Sequence, residues 1–405
     1  CGFAVMARLW QSGFETGNTS NGVEWSAWAT TVVQTSTVRT GTYAYKVGGP
    51  LVSGTQHRVR HQFGASNANG PFYARAYVYF TTLPSMQSRF FGLGNNTNPS
   101  GTGMSAYLTV DSTGEIRLFD EDGQIGSASS ALSTGQWYCF EIHFDRTGSA
   151  GSHIVKARID EVEFAGATNR DVAFGVHQFH IGGNMNSEAN SVGEWYFDDI
   201  ALNDGTGSFQ NSYPGKGHIL PLKPSAAGDT SDWTGDYTAV DETNPNDGTD
   251  YLESNTLDQV EDMNIEDPSV MGASDTVNVI AIRARFARNA TGGGSPAFVT
   301  RVKAASAGTV DESVAIAPTA TTYSSDKIAA PLTLCHVIYD LPGASTTAWT
   351  KSDIQNAQIG VRTSTGATDA NRVTKLWMEV DYVEAAGAST IVKDVIGSKI
   401  IPGSR

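Results

Sequence analysis

Three groups of residues in this 405-residue chain have the types and spacing to do chemistry. In Glu141-Ile-His-Phe-Asp145, alternate positions carry Glu141, His143 and Asp145. An extended strand would place them on one face, with Cys139 beside them. Two carboxylates held about 5 Å apart are what a retaining glycosidase needs, so a glycosidase or polysaccharide lyase is one expectation. The plainer expectation is a wet face opposite Phe140, Ile142 and Phe144, with His143 simply exposed. Asp160-Glu-Val-Glu163 reads as a charged hairpin tip.

The second group lies in Tyr196-Phe-Asp-Asp-Ile-Ala-Leu202, where strict alternation puts Tyr196, Asp198, Ile200 and Leu202 on one face. If that face is core, Asp198 is buried and needs hydrogen bonds or a cation. Glu15, from Ser12-Gly-Phe-Glu-Thr-Gly, would join Asp198 or Asp199 in an oxygen-only structural Ca²⁺ site. The competing expectation is carboxylates that accept bonds from loop amides and pin the termini together. The third group is the row Tyr73, Arg75, Tyr77 and Tyr79, a platform for a sugar or a wall of a subunit contact. Its bland alternative is an ordinary outer sheet face.

Other catalytic signatures are missing from the sequence. It has no Gly-x-Ser-x-Gly elbow, no His-Glu-x-x-His pair, no phosphate loop and no EF-hand loop. Cys1, Cys139 and Cys335 are too scattered for a zinc site or a disulfide framework. Cys139 and Cys335 read as small core residues.

The elements that must position these groups are strands. Phe72–Phe80 alternates, with Phe72, Ala74, Ala76, Val78 and Phe80 on one face and the Tyr/Arg row on the other. Asp111-Ser-Thr-Gly and Asp122-Gly123 are turn signals between short apolar runs. Trp137–Phe144, Ile154–Ile159, Phe174–Ile181 and Trp195–Leu202 continue at sandwich spacing. Thr276–Arg288, Ala297–Ala304, Thr333–Tyr339 and Val373–Val383 follow. In the last, Thr374, Leu376, Met378, Val380 and Tyr382 face inward and Lys375, Trp377, Glu379 and Asp381 outward. The one helical turn expected starts after Ser352, as a cap for Asp353-Ile-Gln.

Composition agrees with an all-β chain. Charged residues are 17%, Gly numbers 43 and the net charge is -15. That balance excludes a broad nucleic-acid or anionic-membrane surface, which needs clustered Lys and Arg. No stretch has the length of a membrane helix. The start is read as Met6 with Cys1–Val5 upstream, the alternative being a lipidated Cys1; no signal peptide is expected. Residues 224–282 hold 14 Asp and Glu and no Lys or Arg. This shift, after the Gly/Pro connector from Asn203, divides the chain. The expected architecture is two tandem antiparallel β-sandwich (jelly-roll) domains, 1–211 and 212–384, with a tail over 385–405. The acidic block around Asp241–Asp250 reads as a hydrated surface loop, and Ile391 and Ile400 as docking residues for a neighbouring subunit.

Ordered motifs run through both halves: Arg8-Leu-Trp-x-Ser-Gly-Phe-Glu15, Gly22-Val-Glu-Trp25, Leu132-Ser-Thr-Gly-Gln-Trp-Tyr138, Ile159-Asp-Glu-Val-Glu-Phe164 and Tyr196-Phe-Asp-Asp-Ile-x-Leu-Asn-Asp204. Downstream come Asn211-Ser-Tyr-Pro-Gly215, Asp232-Trp-Thr234, Val240-Asp-Glu242, Pro245-Asn-Asp247, Ala348-Trp-Thr350, Gly360-Val-Arg362 and Val380-Asp-Tyr382. In these the chain resembles a family of tailed-bacteriophage virion structural proteins with a concanavalin A-like, laminin-G-type jelly roll. The resemblance implies a non-enzymatic capsid decoration, head fibre or tail-associated fibre protein. It implies assembly in the host cytoplasm, other virion proteins as partners and no catalytic residue. A homo-oligomer, a trimer by expectation, and contact with host glycans accompany that reading. A carbohydrate-binding module or adhesin is the alternative.

Overall fold

The computed structural model describes residues 7–17, 26–28, 32–47, 57–63, 68–95, 103–183, 185, 191–207, 209–304, 308–324, 335–339 and 348–385. Cys1–Met6, Gly22–Trp25, the Cys335 side chain, and Ile391 and Ile400 lie outside what is described. The chain is all-β, built from antiparallel sheets stacked in pairs.

The first pair draws its strands from Arg8 to Asp204. One sheet runs Val162–Arg170, His153–Ile159, Trp137–Asp145, Phe72–Thr82, Glu194–Asp204, Ala44–Val47 and Val32–Gln34, with Arg8–Ser12 also paired to Glu194–Asp204. Its partner is centred on Ser88–Gly94 and Gln178–Gly183. Phe72, Ala74, Ala76, Val78 and Phe80 all point into the core between them. There Phe80, Phe90 and Phe140 meet edge to face at ring distances of 5.1–6.3 Å. Each such ring contributes about 1.5–3 kcal/mol by leaving water.

The second pair draws on residues from His218 to Val383. One sheet is centred on Thr276–Arg288 and Asn371–Val383, the other on Val260–Ile265 and Gln358–Thr365. Leu376, Met378, Val380 and Tyr382 enter this core. The connector is shorter than its composition suggests. His218–Leu222 pairs with Asn371–Val383, so Pro221 sits in a strand at the sheet edge, where no donor is missed.

Two local expectations are corrected. The helix is Lys351–Gln355 and its cap is Thr350, not Ser352. The Thr350 side chain accepts from the Asp353 amide, while the Asp353 carboxylate accepts from the Thr350 amide. In the acidic block Asp241–Asp250, Asp247 is tied down rather than simply hydrated, and acids on either side of the block are paired too. Asp262 and Asp229 pair with Lys303 at 3.0 and 2.9 Å, Asp247 with Arg285 at 2.5 Å, and Glu253 with Arg372. Bases from the later strands of the same sandwich neutralise acids from its earlier ones.

Alternation through Tyr196–Leu202 fails at one point. The register against Phe72–Thr82 shifts between Asp198 and Ala201, with Asp199 at φ 51°. This extra residue is a bulge. Trp195 and Phe197 enter the core before it, Ile200 and Leu202 after it. Tyr196 and Asp198 therefore share the outer face with Tyr79 and Tyr77, their register partners.

Candidate functional site

Neighbouring residues of paired strands point to the same side of a sheet. On the outer face of the first sheet, Tyr73, His143 and Lys156 lie in one row and Arg75, Glu141 and Arg158 in the next. Tyr77 and Cys139 form a third. A lone sandwich would expose this face to water, yet Arg75 and Glu141 are fully buried and Cys139 is 1% exposed. The second sandwich and the connector cover them.

The cover is made by charge. Asp381 accepts from Arg8 at 2.7 Å and Arg75 at 3.2 Å, with none of the three side chains exposed, and from Asn278 at 3.2 Å. Burial works against the ionised carboxyl, but the Arg75 and Arg8 charges outweigh it and hold Asp381 below the usual carboxylate range. Arg8 also donates to Asn203 and Gln11. Arg283 donates to Glu379 at 3.0 Å and to the Gln11 carbonyl at 3.1 Å. Arg39 lies over the Tyr77 ring, 3.4 Å from its centroid, and donates to Asp199 and to the Gly217 carbonyl. His218 contacts Arg39 through Nε2 and the Thr40 hydroxyl through Nδ1. Arginine can only donate, so Nε2 is the acceptor and Nδ1 carries the proton. Burial, reinforced by the Arg39 charge, lowers the His218 pKa to about 4. Gly217 admits no side chain, because a Cβ there would meet Asp381 and Arg75.

The three carboxylates grouped for calcium have protein donors instead. Glu15 accepts from the Thr42 and Tyr43 amides at 3.0 Å. Asp198 accepts from the amides of Arg39, Thr40 and Asp199. Asp199 accepts from Arg39, the Thr40 hydroxyl and the Ile219 amide. Burial and the negative charges of Asp199 and Glu15 push Asp198 well above the usual range. Among the described residues, no group of three or more His, Cys, Asp or Glu side chains is arranged to hold a metal ion.

The Tyr/Arg row is split in three. Arg75 and Tyr77 are consumed by the junction. Tyr79 packs with Trp137 and Tyr196 farther along. Tyr73 stacks on His143 at 4.4 Å and lines a groove of about 290 Å³ with Lys156, Arg158, Glu163 and Tyr213.

Glu141, His143 and Asp145 do share a face, but it is not the solvated one expected. Glu141 is fully buried with the connector bonded to it, and His143 is only 9% exposed. Glu141 accepts from the Gly215 amide at 2.8 Å. Burial raises its pKa, while burial lowers that of His143 to about 4 and raises that of Cys139 to about 12. Asp145 caps its own turn through the Thr147 amide and hydroxyl. Four strand steps, about 13 Å, separate Glu141 from Asp145 along the backbone, beyond the spacing of a glycosidase pair. Sequence reasoning missed Arg39, Arg158, Tyr213 and His218. The available signal was Trp377 beside Glu379 and Asp381 on a supposedly wet face.

No protein-family model matches the chain, and no curated protein matches it. Solved structures match parts of the chain at low identity and low TM-score. The binding domain of botulinum neurotoxin serotype D is 12% identical, with 51% of this chain covering 49% of that one at TM-score 0.33. The match thus spans about half of the toxin domain. Domain 4 of an extracellular arabinanase from Geobacillus stearothermophilus, solved with arabinotriose, is 17% identical over 50% of this chain and 95% of that one, at TM-score 0.32. An alginate lyase from Pseudomonas aeruginosa is 12% identical over 40% of this chain and 82% of that one, at TM-score 0.30.

Proposed function

We propose that this chain is a non-enzymatic structural protein of a bacteriophage virion surface, a decoration or fibre protein whose working unit is the rigid pair of sandwiches. One observation carries the reading. The motifs behind the family resemblance supply residues that tie the first half to the connector and the second: Arg8 to Asp381, Asp199 to Ile219, Asn203 to Ser212 and Gly215 to Glu141. What such motifs have in common here is a mechanical joint. A joint of buried arginine–carboxylate pairs fixes one orientation, because rotating either half strands charges without partners. A protein that braces a shell or carries load outward needs that stiffness. Other virion proteins are the partners this reading requires, and closed symmetry makes a homo-oligomer the natural form, with a trimer expected.

The test is light scattering on the purified chain with sedimentation alongside assembled particles. A stable oligomer that pellets with particles supports the proposal. A monomer that stays in the supernatant overturns it.

A further inference from the structure

Beside the joint, four polar atoms are buried with no hydrogen-bond partner among the described residues: Glu141 Oε2, His143 Nε2, Arg158 Nε and Tyr213 Oη. They come from two adjacent strands and the connector, and three of the four residues line the groove that Tyr73 floors. Leaving such groups buried and unpaired is unfavourable, because each has given up its bonds to water. One orphan is ordinary; three lining one groove point to a site for a polar ligand.

Tyr213 fills part of that place now. Its ring lies under the Arg158 guanidinium at 3.5 Å and meets Tyr73 and His143 edge-on at 5.2 and 5.8 Å. Its hydroxyl is one of the four orphans. The connector that carries it, Asn211-Ser-Tyr-Pro-Gly215, is exposed on either side at Asn211, Ser212 and Lys216. The Tyr213 side chain is held by ring contacts and no hydrogen bond among the described residues, so rotation about its side-chain bonds would open the groove while Ser212 and Gly215 stay bonded.

We propose that this groove binds an uncharged saccharide ring, with Tyr213 swinging aside to admit it. The choice of ligand follows from the donor set. Arg158 Nε–H can only donate, the Glu163 carboxyl oxygens that line the groove accept, and His143 Nε2 does one or the other according to its tautomer. Hydroxyl groups, which donate and accept together, satisfy such a mixture. An anion would meet the Glu163 carboxyl that lines the groove, and a hydrocarbon would leave every orphan unpaired. The Tyr73 ring gives the apolar face of a pyranose something to cover. The volume, near the lower end of ligand pockets, suits one or two sugar units.

The experiment uses the full chain and a panel of glucose, galactose, mannose, N-acetylglucosamine and glucuronate at tens of millimolar. The readout is the His143 ring resonance by NMR, assigned with His143→Gln. At least one neutral sugar should shift that resonance saturably. Arg158→Met should weaken the binding at least tenfold, and Tyr213→Ala should tighten it several-fold by removing the ring that fills the groove. If no neutral sugar shifts the resonance in either the parent or Tyr213→Ala chain, the proposal fails. It fails also if glucuronate binds more tightly than the neutral sugars, or if Tyr213→Ala abolishes binding. Melting curves confirm that each variant is folded. Sedimentation with particles is scored separately, so the virion reading stands or falls on its own.

Discussion

Arg8 and Asp381 lie 373 positions apart and form a 2.7 Å ion pair in which neither side chain is exposed. One belongs to the strand that opens the first sandwich, the other to the strand that closes the second. The pair closes the chain on itself and sits at the centre of the arginine–carboxylate joint.

Removing one partner of a buried pair leaves the other charge stranded. Asp381→Asn should therefore lower unfolding stability by about 3–5 kcal/mol. Chemical denaturation followed by tryptophan fluorescence measures this. The single transition of the parent chain should split in two as the sandwiches uncouple. An unchanged midpoint would mean that the joint does not contribute.

Gly217 is fixed by space rather than by conformation. Gly217→Ala would press a methyl group into Asp381 and Arg75. A loss of about 1–3 kcal/mol is expected, as for overpacking a filled site. Gly248→Ala, where a Cβ meets nothing within 4 Å, is the control and should melt with the parent.

Acid should loosen the protein through two buried histidines. Burial depresses both His143 and His218 to about 4, below the roughly 6.5 of an unfolded histidine. Between those values the unfolded chain binds protons that the folded chain refuses. The contribution of these two histidines is thus complete above about pH 6.5 and falls toward pH 4, by up to about 3 kcal/mol each, against the opposite slope of the raised carboxyls of Asp198 and Glu141. The depressed carboxyl of Asp381 acts lower, its contribution present above about pH 4 and lost as pH falls through its folded value. Melting temperatures from pH 8 to pH 4 report the first effect, and His218→Phe should flatten part of the slope.

Chelation should change nothing. Glu15, Asp198 and Asp199 take their bonds from backbone amides, a hydroxyl and Arg39. The melting temperature with EDTA should match that without it. A drop of several degrees would restore a cation to this corner.

Much of the fold was legible in the chain. Period-two alternation assigned the buried faces of Phe72–Phe80 and Leu376–Tyr382 residue by residue, because a strand beside an apolar core must alternate. It put Thr374 inward, where a register shift brings Val373 into the core instead. Asp160 and Glu161 announced a hairpin tip, and both adopt the positive φ such tight turns require. The bulge at Asp198 and Asp199 was not legible, since an inserted residue leaves the local pattern apolar and merely shifts its phase.

What the sequence could not express is that the outer faces of two sandwiches meet. Arg75, Tyr77, Glu141, Glu379 and Asp381 are polar, and polar residues on a strand read as wet. Burial of such a face depends on a complementary charge hundreds of positions away, where no local periodicity reaches. The sequence by itself determined the strands, their inward faces and the all-β class, because each follows from short-range alternation and turn chemistry. Only the tertiary structure decided that the remaining faces form a joint and a groove, because pairing Arg8 with Asp381 is settled by packing in space and not by spacing along the chain.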